Sequence, residues 1–121
     1  MITEDIRSFI KHIYKNFNER NIDLVIANMT IDVQWATGMD GGYVYGRNNV
    51  RTYWTKQFSL VSSKVTPLQI DDKSNVVKIK VHQVVHDVNG NLLADEIVYH
   101  LFTLKDGTIA RFDIGDKNQT E

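Results

Sequence analysis

The 121-residue chain is 42% hydrophobic and 24% charged, the make-up of one globular domain that buries roughly two-thirds of its unfolded surface without staples. Fourteen basic residues against fifteen acidic ones leave a net charge of −1 with no block of like charge, which excludes the usual nucleic-acid footprint and membrane-binding patch. There is no cysteine, so disulfides, thiolate metal sites and cysteine nucleophiles are ruled out, and no apolar run approaches the ~20 residues of a membrane span.

Met1 leads straight into Thr3, Glu4 and Asp5 without a basic or apolar leader, so the expected location is cytoplasmic. Ile6, Phe9, Ile10, Ile13 and Phe17 recur at helical spacing, which predicts a helix over residues 3–19 with Thr3 as N-cap. Asn21 is placed to cap a second, shorter helix carrying Ile22, Val25, Ile26 and Met29. Ile31, Val33 and Trp35 alternate with polar residues and predict a strand. Residues 38–46 hold four glycines with Met39, Asp40, Tyr43 and Tyr45, and read as a loop or a short hairpin. Val50, Tyr53, Trp54, Gln57, Phe58 and Val61 mark a third amphipathic helix.

Pro67, the only proline, falls in an extended run from Lys64 to Asp71. Having no N–H to give a ladder, it predicts an edge strand or a bulge there. From Val76 to Ile114 three alternating runs are joined at Asn89-Gly90 and at Asp106-Gly107, the signature of an antiparallel meander. Helices with one apolar stripe each must cover one face of this sheet, so residues 1–121 read as a single α+β domain.

The period of two decides which side chains share the covered face. Val77, Ile79, Val81, Gln83 and Val85 belong to it, since Lys78 and Lys80 on the other face cannot sit unpaired beneath a helix. A two-residue turn at Asn89-Gly90 sets Val81 opposite Val98, Ile79 opposite His100 and Gln83 opposite Glu96, and so adds His100, Glu96, Phe102 and Leu104 to that face. The second hairpin leaves two options. A two-residue Asp106-Gly107 turn turns Arg111 and Asp113 inward; a three-residue loop from Lys105 to Gly107 turns Phe112 and Ile114 inward. The second buries apolar residues instead of charges and is the preferred register.

On the outer face Ile97, Tyr99 and Leu101 are too apolar for a wetted sheet, and a homodimer through this face is expected. Arg111 and Asp113 read as an outer-face pair. His82 and His86 lie too far apart along one strand to ligate a single metal, and no third ligand accompanies them.

The order of these elements, with Val33 and Trp35 in a strand, Gly41 to Arg47, Tyr53-Trp54 in a helix and a meander ending at Lys105 to Ile109, resembles the nuclear transport factor 2-like superfamily. That superfamily includes ketosteroid isomerases and SnoaL-like polyketide cyclases, and the resemblance runs from about Ile6 to Ile114. It implies a curved antiparallel sheet wrapped around three N-terminal helices as a cone with a deep pocket, and often a dimer through the sheet. It does not imply the isomerase reaction. The isomerases' proton-abstracting aspartate falls at Thr37, their carbonyl-polarising tyrosine at Ile13 with Tyr14 one position off and facing elsewhere, their second oxyanion donor at His100, and a further pocket tyrosine at Trp54.

The polar residues on the greasy face are therefore the functional candidates. His100 is the candidate catalytic group, as a neutral donor to a carbonyl or as a base, with Glu96 or Gln83 to orient it or to hold a ligand. Trp35, Thr37, Trp54, Phe58, Phe102 and Phe112 complete the expected pocket, and Asp40, Tyr43 and Tyr45 its mouth loop. The expected function is binding of a small hydrophobic, carbonyl-bearing or cyclic compound, with isomerase, cyclase or hydrolase chemistry of acid/base type and neither cofactor nor metal. The alternative is a non-catalytic dimerisation or scaffold module whose interior is filled by its own side chains.

Overall fold

A computed structural model describes residues 3–37, 41–73 and 75–115. Helix α1 spans Thr3–Asn18 and buries Ile10, Ile13 and Tyr14, one stripe at helical spacing. The side chain of Thr3, expected as its cap, lies outside the described residues. Helix α2, Ile22–Ile26, is a single short piece. Asn21 holds its N-cap position, yet its side chain does not cap it: the amide donates back to Asn16 Oδ1 at 3.1 Å. Met29, assigned to this helix by pattern, instead opens strand β1, Met29–Thr37.

Strand β2, Gly42–Tyr45, pairs antiparallel with β1, so of loop and hairpin the chain adopts the hairpin. Ile31 departs from expectation and is 78% exposed, because the β1 register shifts between Met29 and Gln34. Helix α3 runs Arg47–Leu60, and Val61 already belongs to strand β3, Val61–Lys73. Strands β4 (Val76–Asp87), β5 (Leu92–Lys105) and β6 (Thr108–Gly115) follow.

The six strands form one curved, unclosed sheet in the order β2-β1-β6-β5-β4-β3. β1 lies parallel to β6, and the other neighbours are antiparallel. The fold is α+β, with the helices over one face. Ile10, Met29, Val33, Ile79 and Phe102 are fully buried between them. Side chains of this size contribute about 1.5–3 kcal/mol each when removed from water. Among the described residues no helix is long and apolar enough to cross a membrane.

Both hairpins reach the expected register by a different route. Asp87 N–H bonds to the Asn91 carbonyl at 2.9 Å, closing a three-residue loop rather than a two-residue turn, and the Asp87 carboxylate accepts from the N–H groups of Asn89 and Asn91. A bulge next to His86 then absorbs the extra residue, so Gln83 faces Glu96 and Ile79 faces His100. In the second hairpin the opposite happens. Lys105 pairs with Thr108 across a two-residue Asp106-Gly107 turn in which both φ angles are positive, 53° and 82°. That is the mirror-image turn that hairpin twist favours. A bulge between Thr103 and Leu104 shifts β6 by one, and Phe112 and Ile114 still come to the inner face, opposite Phe102 and His100.

β3 is an edge strand with a bulge beyond Pro67, as its proline predicts. The end of α1 lies along it. Asn18 donates to the Val65 carbonyl at 2.8 Å and accepts from the Val65 N–H at 2.9 Å, and Arg20 donates to the Ser63 carbonyl at 2.9 Å.

Candidate functional site

The strand registers order the inner face into rows. Val77, Phe102 and Phe112 form the innermost, then Ile79, His100 and Ile114, then Val81 and Val98, then Val65, Gln83 and Glu96, then Ser63, Val85 and Ala94. Helices α1 and α3 roof these rows, and a cavity of about 420 Å³ remains between them. Its wall is mostly apolar: Ile13, Phe17, Trp35, Trp54, Phe58, Phe102 and Phe112 line it, with Val98 and Ile114 from the sheet. The aromatic rings brace one another. Trp35 stacks on Phe112 at 4.1 Å between centroids and meets Trp54 edge-on at 5.0 Å.

The polar lining falls into two groups. Toward the inner end of the rows His100 is 6% exposed, and its Nδ1 lies 2.7 Å from the hydroxyl of Tyr14, itself 4% exposed. Burial holds both neutral. It pushes the Tyr14 phenol well above its ordinary value and the His100 imidazole down to about 3. A phenol hydrogen buried without an acceptor costs free energy, so the pair is satisfied when Tyr14 donates to Nδ1 and the ring hydrogen sits on Nε2. That N–H has no hydrogen-bond partner among the described residues, and His100 lines the cavity. Gln57, Ser63, Gln83 and Glu96 form the second group, at the other end of the rows.

Sequence comparison with protein-family models gives no match, nor does comparison with curated proteins. Solved structures do match. A nuclear transport factor 2-like protein of unknown function from Burkholderia pseudomallei superposes with a TM-score of 0.83 at 19% identity, over 96% of this chain and 92% of that one. A putative polyketide cyclase from Xanthomonas campestris gives 0.75 at 18% identity, over 93% and 90%. The chain has the nuclear transport factor 2-like fold. An LEH-like epoxide hydrolase from Mycobacterium tuberculosis shares that fold at a TM-score of 0.74 and 16% identity, over 87% and 77% of the two chains.

Within this fold the expected pocket residues part company. Trp35, Trp54, Phe58, Gln83, Glu96, His100, Phe102 and Phe112 all line the cavity. Thr37 does not: it is buried, and its hydroxyl accepts the Gly42 N–H at 3.0 Å, tying the end of β1 to the start of β2. Tyr43 and Tyr45 do not line the cavity either. They stand exposed on β2, and Tyr43 donates to Asp113 at 2.5 Å, beside the Arg111–Asp113 ion pair of the outer face. Asp40 lies outside the described residues.

Neither Glu96 nor Gln83 orients His100. Tyr14 does so, a residue the resemblance set facing elsewhere. Its signal was present in the chain, since Ile10, Ile13, Tyr14 and Phe17 recur at the i, i+3, i+4, i+7 spacing of one helix face. Gln57 was read only as part of the third helix's stripe. On the outer face His82 Nε2 lies 2.7 Å from Asp95 Oδ1. Among the described residues no cluster of histidine and carboxylate side chains is arranged to hold a metal ion.

Proposed function

We propose that this domain binds a small, largely apolar compound bearing a carbonyl or comparable acceptor, and that His100 Nε2–H holds that acceptor toward the inner end of the rows. The observation that carries the reading is the buried Tyr14–His100 pair set in a mostly apolar cavity wall. An imidazole whose pKa lies near 3 is a poor base at neutral pH, so the chemistry it supplies is donation. A fixed N–H in a dry site stabilises negative charge developing on a carbonyl oxygen, the step shared by isomerase, cyclase and hydrolase chemistry of this type. Glu96 is the only carboxylate among the described lining residues, and it stands at the far end of the rows.

The test is calorimetric titration with aryl and cyclic ketones. Wild type binds, His100→Ala loses at least about tenfold in affinity, equivalent to 1.4 kcal/mol, and Tyr14→Phe loses less because it frees the ring without removing the donor. A ketone that binds wild type and His100→Ala equally makes His100 a structural residue. No binding to any ketone leaves a non-catalytic scaffold in its place.

The proposal includes a second copy on the outer sheet face. Ile97 is 42% exposed there, and Lys78, Lys80 and Arg111 share the face with Asp95 and Asp113, a mixture that a twofold copy meets with its own opposite charges. Sedimentation resolves this: a dimer for wild type and a monomer for Ile97→Lys, with a monomeric wild type overturning it.

A further inference from the structure

We infer that the ligand carries a hydrogen-bond donor, best a cationic amine, at the end opposite its acceptor, and that Glu96 holds it. This rests on the reading just given and supplies the other half of the recognition pattern. Glu96 and His100 occupy the same face of β5 four residues apart, so strand rise separates them by about 13 Å. Val98 fills the interval, and all three line one cavity. Gln83 sits directly opposite Glu96 on β4 and adds a second acceptor oxygen to the same row.

Charge decides what this end takes. Arg20 stands nearby, over the ring of Phe58 at 4.2 Å, but its guanidinium is committed: NH1 donates to the Phe17 carbonyl at 2.9 Å and NH2 to the Ser63 carbonyl at 2.9 Å. Glu96 has no ion-pair or hydrogen-bond partner among the described residues. Arg20 keeps its charge but is turned to the backbone and is not among the lining residues, so the charged group that faces the cavity at this end is Glu96, and the free group at the other end is a neutral N–H. A ligand matching both has an apolar body with a carbonyl at one tip and an ammonium at the other. An anionic tip meets repulsion at Glu96.

The probes are acetophenones with a para alkyl chain of two to six carbons, ending either in methyl or in ammonium, titrated calorimetrically. The ammonium series binds roughly three- to fivefold tighter than the methyl series at the chain length that spans both groups, the scale of a solvent-exposed ion pair, and the gain shrinks as salt rises. In Glu96→Gln the ratio of the two affinities falls to about one. Methyl probes that bind while ammonium gains nothing overturn this inference and leave the proposed function standing, as does a gain that survives Glu96→Gln. If no acetophenone binds in either series this inference falls, while the proposed function stands or falls on the cyclic ketones.

Discussion

His100 and His82 stand on neighbouring strands, and each has a ring nitrogen 2.7 Å from an oxygen. The resemblance ends there. His100 points to the inner face, 6% exposed, where a phenol is its partner and the rings of Phe102 and Phe112 pack against the pair. His82 points outward, with a carboxylate as partner and its side chain 42% exposed. Identical side chains at identical contact distances thus hold opposite roles: one is a neutral, fixed donor, the other half of a wetted surface pair. Solvent, rather than contact geometry, sets what an imidazole does.

The largest blow to this contrast comes from the dry shell. Phe102→Ala removes a side chain that is 1% exposed and touches Tyr14, Trp35 and Phe112, and costs about 3–5 kcal/mol by urea unfolding. Next is the pair itself: Tyr14→Phe leaves Nδ1 buried without its donor and costs about 1–3 kcal/mol in the same measurement.

Acid supplies a third, graded test. Burial lowers the folded-state pKa of His100 from 6.5 to about 3, so below pH 6.5 the unfolded chain takes up a proton that the folded chain refuses. The folded state is then favoured least at low pH, and stability declines by about 1.4 kcal/mol for each unit below 6.5 until the folded pKa is reached. Urea midpoints between pH 7 and 5 follow this decline, and His100→Gln flattens it. The smallest effect belongs to the outer face, where His82→Ala changes stability by less than about 0.5 kcal/mol. A larger loss there would erase the distinction between the two faces.

The sequence revealed strand faces better than turns. Asn89-Gly90 and Asp106-Gly107 marked both hairpins, yet the first carries a three-residue loop and the second the shorter turn, and in each a bulge restores the pairing that buries apolar residues. Burial therefore governs register, and the turn adapts to it. That is why His100 and Glu96 stand opposite the partners that a two-residue turn predicts, although the turn itself is longer. Ile31 was misplaced because a register shift in β1 breaks alternation without any glycine or proline to announce it. Tyr14 went unassigned for another reason. Its position on the buried helical stripe was legible, but its partner lies 86 residues away, and no local pattern reports a contact across that span.

The edge strand β3 carries a consequence for solutions of this protein. A bare strand rim exposes backbone groups to which a stray β-segment attaches, the route by which sheets polymerise. Here the Asn18 carboxamide occupies both groups of Val65, Arg20 occupies the carbonyl of Ser63, and Pro67 offers no hydrogen at all. The tail of α1 thus impersonates a seventh strand, and what it denies to strangers is the start of a fibre.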